Sequence, residues 1–418
     1  MISARPRILY VTRHPPHAGR TGGQYRTLHI CRLLQQIGDL GIILLTIGED
    51  EEPSLAETKS EFTVEAVLRL KPQSNRDFRS RLNHEFNPWF LGTQGFAPSQ
   101  ADRARIAELM AQYDMVWVHG IWSANCAGLG RCPNSVLDVD DILSGYYRSE
   151  MASADSCRKR LRAARQWWLW KRRESVFLDR FNVLAVCSEA DRRHFGASER
   201  VHAIANGFES PDGEPERTPT DPPRIGFIGN LNFVPNRDGI EWFIASVWPL
   251  IKAAHPHARL RLVGSGTEKG ITQLGPDVDG LGWVADTSSE MATWSLMAVP
   301  IRLGAGTRIK IVEGFSRKCP VVSTTLGAFG REVTSGEELL LADSPAEFAQ
   351  ACSSVLRNPA LGIELANRAW EKFQALWTWQ AVKPRVETVV EQCLSLSRRA
   401  TSHRSPATHP CREGVADA

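Results

Sequence analysis

Two series of short apolar runs, separated by a proline-rich segment, constrain the fold of this chain most strongly. The runs are rich in Val, Ile and Leu and mostly lack strict alternation, which is typical of strands buried on both faces of a parallel sheet. Amphipathic helical stretches such as Asp238–His255 lie between them, and this succession predicts βαβ units. The predicted strands are Arg7–Thr12, Ile42–Gly48, Met115–Gly120, Ser135–Asp138, Val183–Ser188 and His202–Ala205, then Arg224–Gly229, Arg259–Gly264, Leu296–Ile301, Pro320–Thr324 and Leu339–Ala342.

The segment Glu209–Pro223 (ESPDGEPERTPTDPP) is dense in Pro, Glu, Asp and Thr, and it predicts a linker. The predicted fold is therefore α/β, with two Rossmann-like doubly wound domains at 1–215 and 216–372. Ligands of such sheets bind beyond the carboxyl ends of the strands, which places the site in the cleft between the domains.

Composition excludes several classes of protein. The net charge of +3 over 418 residues does not predict nucleic-acid binding. The nine cysteines form no CxxC pair, so we expect neither a disulfide framework nor a metal site. The short apolar run at the N-terminus predicts no signal peptide, and no run approaches the ~18 apolar residues of a membrane span. We therefore expect a cytoplasmic protein.

The most informative motif is PIRLGAGTRIKIVEGFSRKCPVVSTTLGAFGREV, Pro300–Val333. A strand ends near Ile301, a glycine turn follows, and Thr307 is predicted to cap the next helix. Free N–H groups and the positive helix end then converge near Gly306, which favours an anion such as a diphosphate.

Charged side chains strengthen that interpretation of the motif. Arg308 and Lys310 add two cations at the start of the helix. Glu313 lies further along it, where a carboxylate can accept hydrogen bonds from two ribose hydroxyls. The alternative is a simple turn followed by a helix whose charged residues are solvated.

This chain resembles the family 4 glycosyltransferases, particularly the sugar transferases of bacterial exopolysaccharide assembly. The resemblance covers about 224–379 and extends more weakly over the N-terminal half. It rests on RIGFIGNLNFVPNRDGIEWF, LRLVGSG, GTRIKIVEGF, PVVSTTLGAFG and LLLADSPAEFA. It implies the GT-B fold, a nucleotide-sugar donor, retention of anomeric configuration, and neither an obligatory metal nor another cofactor.

The resemblance also implies roles for residues. Glu313 would bind the ribose, Arg308 and Lys310 the diphosphate, and Thr325 to Phe329 would lie near the sugar. A terminal helix at 373–396 would cross back to the N-terminal domain, and 397–418 would form a disordered tail. The predicted donor-binding residues are Gly22, Gly23, Gly229, Asn230, Arg237, Gly306, Thr307, Arg308, Lys310, Glu313, Thr325, Leu326 and Gly327.

The chain departs from the family pattern in two places. Many members carry a glutamate where this chain has Ala305. Many also have an Arg and a Lys after the first C-terminal strand, where this chain has asparagines and Arg237. Neutralisation of phosphate must then depend more on Arg308, Lys310 and Arg237.

The N-terminal half contributes candidate residues at the ends of predicted strands. Gly22 and Gly23 open a helix after the first strand, where an anion can bind. His119 ends the strand MVWVHG and is predicted to orient the acceptor or contact the donor sugar, although a structural histidine is the alternative. Of the nearby Asp138, Asp140 and Asp141, we assign Asp138 and Asp141 to the acceptor side; helix caps or a solvated turn are the alternative.

The stretch Cys157–Glu174 (CRKRLRAARQWWLWKRRE) combines eight basic residues with three tryptophans. It predicts peripheral contact with an anionic membrane, at the inner face of the plasma membrane. The equally consistent alternative is a packed domain helix with solvated arginines.

These observations predict a retaining glycosyltransferase that uses His119, Arg308 and Lys310 in catalysis and moves a hexose-type sugar to a saccharide or lipid-linked acceptor. The helix start and its cations would stabilise the leaving diphosphate. Two alternatives remain at this point: a non-catalytic nucleotide-sugar-binding assembly subunit, and a GT-B nucleotide-sugar epimerase, which Ala305 disfavours.

Overall fold

The structure is a computed structural model that describes residues 5–17, 22–47, 52–72, 78–93, 95–196, 198–268, 275 and 277–402. The first half forms a seven-stranded parallel sheet in the order β3-β2-β1-β6-β7-β8-β9, and β4 pairs with β5 in a separate antiparallel ribbon. Its strands are β1 Arg7–Thr12, β2 Asp39–Thr46, β3 Thr63–Arg69, β4 Lys71–Pro72, β5 Phe96–Ala97, β6 Met115–His119, β7 Cys132–Val139, β8 Phe181–Val186 and β9 Val201–Ala203.

Helices cover both faces of this sheet. The central strands are mostly apolar because both faces are covered, and in β1 the residues from Ile8 to Val11 are completely buried. The helices are α1 Gly22–Ile37, α2 Glu52–Glu61, α3 Phe78–Phe86, α4 Gln100–Ala111, α5 Gly120–Cys126, α6 Leu143–Ser153, α7 Cys157–Glu174, α8 Phe177–Arg180 and α9 Glu189–His194.

The second half forms a six-stranded parallel sheet in the order β12-β11-β10-β13-β14-β15. Its strands are β10 Arg224–Ile228, β11 Arg259–Val263, β12 Val278–Gly280, β13 Leu296–Val299, β14 Val321–Ser323 and β15 Leu340–Leu341. Its helices are α10 Val234–Trp242, α11 Trp248–Ala254, α12 Ser288–Ala292, α13 Ile309–Ser316, α14 Pro345–Arg357 and α15 Pro359–Leu376, with a π-helical stretch at Phe243–Val247 between α10 and α11. The predicted fold class, two doubly wound α/β domains, is confirmed.

The chain passes between the domains twice. Phe208 and Thr378 form an isolated bridge where the outgoing and returning segments run side by side. The last helix, α16 (Trp379–Ser402), then packs on the first domain and contacts α1, β7 and β8. It runs six residues into the predicted tail, and 403–418 lie outside the described residues.

Candidate functional site

The carboxyl ends of the strands of the two sheets face each other across a cleft. The glycine turn after β13 contacts the first domain directly: the Gly304 N–H donates to Ser149 Oγ at 2.9 Å. Asp141, after β7, lies so close to Gly306 that a Cβ added there would collide with its carboxylate. The backbone of Gly306 has φ 74°, which favours glycine. The turn therefore joins the two domains at the start of α13.

The predicted helix cap at Thr307 is wrong. Helix α13 begins at Ile309, its N-cap is Arg308, and no side chain caps it. The Thr307 hydroxyl instead accepts a hydrogen bond from Asn206 Nδ2 at 3.0 Å. Because no side chain caps them, the N–H groups of the first turn are not occupied by a cap, and anion binding there stays a prediction.

The guanidinium of Arg308 folds back over the glycine turn. It donates to the carbonyls of Ala305, of Gly306 at 2.8 Å and of Leu303 at 3.3 Å. Burial lowers the pKa of Arg308, and the nearby carboxylate of Asp141 raises it. Arg308 thus places a positive charge at the helix start, while its hydrogen bonds stabilise the turn.

Lys310 lies in a small polar cradle at the end of β10. Its Nζ donates to Asn236 Oδ1 at 2.9 Å and stands 4.2 Å from the centre of the Phe227 ring. Gly229 allows this approach, because a Cβ there would lie 2.9 Å from Nζ. Burial and the charge of Arg308 lower the pKa of Lys310 to about 7, and Glu313 opposes the shift.

The neighbours of this cradle divide into two groups. Asn230 belongs to it, because its carbonyl accepts from Asn236 Nδ2 at 2.9 Å. Arg237 is exposed on α10, and its side chain makes no ion pair or hydrogen bond within the described part of the chain. Its predicted role at the phosphate therefore has no support in this geometry.

Glu313 lies one turn beyond Lys310 on α13. Thr287, which precedes α12, donates its hydroxyl to Glu313 Oε1 at 2.7 Å. Burial raises the pKa of Glu313, whereas this hydrogen bond and the charges of Arg317 and Lys310 lower it. Sequence reasoning missed Thr287, because only the fold brings that loop beside α13.

The second small-residue loop follows β14. Thr325 is exposed, and its N–H and hydroxyl donate to the two oxygens of Asp343 at 2.8 and 2.7 Å. The Gly327 N–H donates to Thr324 Oγ1, while Leu326 faces a cavity between the domains. Thr325 thus already has a partner for its hydroxyl, and Leu326 lies nearest the cleft.

The predicted glycines of the first domain lie at the same junction. A Cβ at Gly22 would stand 3.2 Å from Ile309 Cδ1, and a Cβ at Gly23 would stand 3.5 Å from Asp140 Oδ2. The start of α1 therefore packs beside the start of α13. The preceding loop, 18–21, lies outside the described residues.

His119 is buried at the end of β6, within a cluster of titratable groups. Its Nδ1 lies 3.1 Å from Thr27 Oγ1, and its Nε2 lies 3.7 Å from Asp140 Oδ2. The His14 ring stands edge-on to it, and burial lowers the pKa of His14 to about 4. Burial raises the pKa of Asp140, but His119 and nearby cations outweigh that effect and hold it well below its usual range.

The acceptor role predicted for Asp138 requires correction. Asp138 is fully buried and its oxygens accept from Arg26, with the closest contact at 2.7 Å. It cannot reach a substrate and instead forms an ion pair in the domain core. Asp141 does lie in the cleft, where burial and Asp140 raise its pKa to about 7 while Arg308 lowers it.

Asn206 and Arg331 are buried residues that sequence reasoning missed, and both join the domains. Arg26 NH1 donates to Asn206 Oδ1 at 2.9 Å, and Asn206 in turn donates to Thr307. Arg331 donates to the carbonyls of Asn206 and Arg308 at 3.0 and 3.4 Å. Local patterns gave no signal for Asn206 or Arg331, since their partners are distant in sequence.

Helix α7 packs one face in the first domain and leaves its N-terminal end exposed, so the packed-helix alternative holds for the buried face and membrane contact stays a prediction. Trp170 and Leu169 are buried, so one face packs in the domain. All residues from Cys157 to Arg162 are exposed, and the exposed fractions of Leu161 and Trp168 are 71% and 43%. No helix within the described ranges is long and apolar enough to cross a bilayer.

Comparison with known proteins agrees with this architecture. Residues 222–358 match the family model Glycosyl transferases group 1. The uncharacterized 44.6 kDa protein of the Klebsiella pneumoniae cps region is 25% identical over 394 residues, which are 88% of this chain and 95% of that protein.

Solved structures show the same fold. Sucrose-phosphate synthase from Thermosynechococcus elongatus superposes with a TM-score of 0.65 at 18% identity, covering 94% of this chain and 100% of that one. Alr3699/HepE of Anabaena, in complex with UDP and glucose, gives 0.60 at 16% identity, covering 92% and 99%. The chain is thus a GT-B protein. Its residues 222–358 are similar to the glycosyl transferases group 1, and the resemblance to glycosyltransferases is confirmed.

Proposed function

We propose that the protein is a retaining glycosyltransferase that moves a sugar from a nucleoside diphosphate to a hydroxyl of a saccharide or lipid-linked acceptor. One observation carries the proposal. Helix α13 combines an N-terminus without a side-chain cap, the amino group of Lys310 and the carboxylate of Glu313 beside the carboxyl end of β10. That set fits the diphosphate and ribose of one nucleotide.

The chemistry follows from these charges. When the bond between the anomeric carbon and the diphosphate breaks, negative charge develops on the leaving oxygen. The start of α13, Lys310 and the charge of Arg308 stabilise it. The acceptor oxygen bonds to the same face of the anomeric carbon, and its proton passes to the diphosphate, so no side-chain nucleophile is required. The diphosphate needs no metal in this scheme.

The comparisons support further parts of the proposal. The similar Anabaena protein is in complex with UDP, which makes a uridine nucleotide the first donor to test. The relative from the Klebsiella cps region supports a role in cell-surface polysaccharide or glycoconjugate biosynthesis. The exposed basic end of α7 supports peripheral contact with the cytoplasmic face of an anionic membrane.

The experiment is a thermal-shift screen against UDP, GDP, ADP and their sugar conjugates. A nucleotide that binds the folded state raises the melting temperature. We expect a rise with one nucleotide, lost in Glu313→Gln and Lys310→Met but retained in Glu241→Gln, a matched change at an exposed glutamate of α10. No rise with any nucleotide would contradict the donor site.

Turnover separates an enzyme from an assembly subunit. Purified protein with the binding nucleotide-sugar should release free nucleotide diphosphate, slowly with water and faster with an acceptor. Binding without any release would favour the non-catalytic assembly subunit.

A further inference from the structure

A cavity of about 430 Å³ lies between the domains, beside the glycine turn. Helices α6 and α9 form its side in the first domain, and the loops after β13 and β14 form the other. Such a volume is typical of pockets that take small molecules, which run from ~300 to ~1,000 Å³. Its apolar wall consists of Ile142, Ala152, Ala190, Ala305, Leu326 and Phe329.

The position of Ala305 explains why this wall is apolar. A Cβ on Gly145 of α6 would stand 3.6 Å from the Cβ of Ala305, so helix and turn approach closely here. A longer charged side chain at 305 would project against α6. Hydroxyl groups buried against such walls lose hydrogen bonds to water. The cavity therefore favours an apolar group over a sugar ring that carries several hydroxyl groups.

Polar groups occur at only a few points of the lining. The carboxylate of Asp191 already accepts a hydrogen bond, because Ser188 Oγ donates to its Oδ2 at 2.7 Å. The His194 side chain is 32% exposed, and its Nε2 lies 2.9 Å from an oxygen of the buried Glu174. That contact fixes the orientation of the ring. Arg148 adds an exposed cation to the lining.

The cavity is continuous with the donor site, because Gly304 and Ala305 line it and lead directly into α13. Most of its lining nevertheless comes from the first domain. A molecule bound there therefore sits opposite the donor, where an acceptor hydroxyl must be presented.

We propose that this cavity is the acceptor subsite and that it binds an amphiphilic glycoside. The apolar aglycone contacts the Ile142–Ala152 side of α6, and the polar part contacts His194 and Arg148. This rests on the proposed function, because an acceptor presupposes transfer. It narrows the acceptor class from saccharide or lipid-linked acceptors to glycosides with an apolar aglycone.

The test compares octyl β-D-glucopyranoside, kept below its micelle concentration, with methyl β-D-glucopyranoside. Binding to UDP-saturated protein is measured by saturation-transfer NMR and calorimetry. We expect the octyl glycoside to bind at least tenfold more tightly, since each buried methylene adds to the affinity. In Ala152→Phe, which fills the cavity, that advantage should fall below threefold. In Ser153→Phe, the neighbouring exposed position outside the lining, it should persist.

Several results would overturn the proposal. These are equal binding of the two glycosides by the wild-type protein, an octyl advantage that survives Ala152→Phe, or an equal loss in both variants. Displacement of the octyl glycoside by UDP-glucose but not by UDP would assign the cavity to the donor sugar and also overturn it. The thermal shift with UDP, measured on the same samples, tests the proposed function separately.

Discussion

Asp141 of the first domain and Gly306 of the second lie in direct contact, with the carboxylate of Asp141 occupying the space that a side chain at 306 would need. The contact joins the end of β7 to the turn that precedes α13. The contact is a second reason, in addition to the positive φ of 74°, why position 306 requires glycine.

We predict that Gly306→Ala destabilises the protein more than an ordinary glycine replacement. A positive φ costs alanine about 1 kcal/mol, and the collision with Asp141 adds roughly 1–3 kcal/mol by overpacking. UDP affinity should fall at the same time, because the turn positions the start of α13. Urea unfolding and UDP titration measure both effects.

Gly336→Ala is the matched control for that change. Gly336 has φ 88° and nothing within 4 Å of an added Cβ, so only the backbone penalty applies. Equal losses of stability in the two variants would show that the contact with Asp141 contributes nothing.

Lys310 should make nucleotide binding depend on pH. Burial lowers its pKa to about 7, so the free protein holds it largely uncharged at pH 8. A bound diphosphate favours the ammonium form, and binding should therefore take up as much as one proton. UDP affinity should weaken as pH rises from 7 to 9, by up to about tenfold per unit.

Calorimetry in two buffers of different ionisation enthalpy measures that proton directly. Lys310→Met should bind UDP more weakly and show little proton uptake near pH 8. Undiminished uptake in this variant would assign the proton to another group, of which Asp141, with its pKa near 7, is the first candidate.

Asp138→Asn should lower the free energy of unfolding by about 3 kcal/mol, because it removes the closest counter-charge of the buried guanidinium of Arg26 and leaves only the more distant Asp140. Asp155→Asn, which removes an exposed carboxylate paired with Lys159, should cause no measurable change. A variant at Asp138 that keeps its stability yet loses acceptor affinity would restore the role predicted from sequence.

The exposed end of α7 should bind anionic vesicles. We expect co-sedimentation with phosphatidylglycerol vesicles, weakened by 0.5 M salt and reduced at least tenfold by Arg160→Glu with Arg162→Glu. Arg103→Glu, an exposed charge reversal on α4, should leave binding intact. Equal partitioning of wild-type and doubly reversed protein would leave the helix with a packing role alone.

The sequence predicted the central strands well, because strands buried on both faces carry continuous apolar runs, as β1 and β10 do. It missed β3 and β12. Strand β3 forms one end of its sheet and is mostly half-buried, so TVEAVLR carries polar residues. Strand β12 has only three residues, two of them half-buried.

The site was predictable where its residues are neighbours in sequence and unpredictable where the fold brings them together. The motif from Gly306 to Glu313 is local, and the structure places it on a glycine turn and on the short helix that follows it. The hydroxyl of Thr307 looked like a helix cap because its partner, Asn206, lies about a hundred positions earlier. Asp138 looked accessible for the same reason, since nothing nearby in sequence reveals Arg26.

Helix α16 also bears on how the chain is made. Its buried residues Val382, Val386 and Val389 complete a core that otherwise consists of residues from the first domain. A ribosome delivers that domain first but delivers its last helix only after the whole second domain. Domains that fold as units during synthesis do so from the N-terminus onward. Part of the apolar face of the first domain therefore stays open during synthesis until helix α16 has been made.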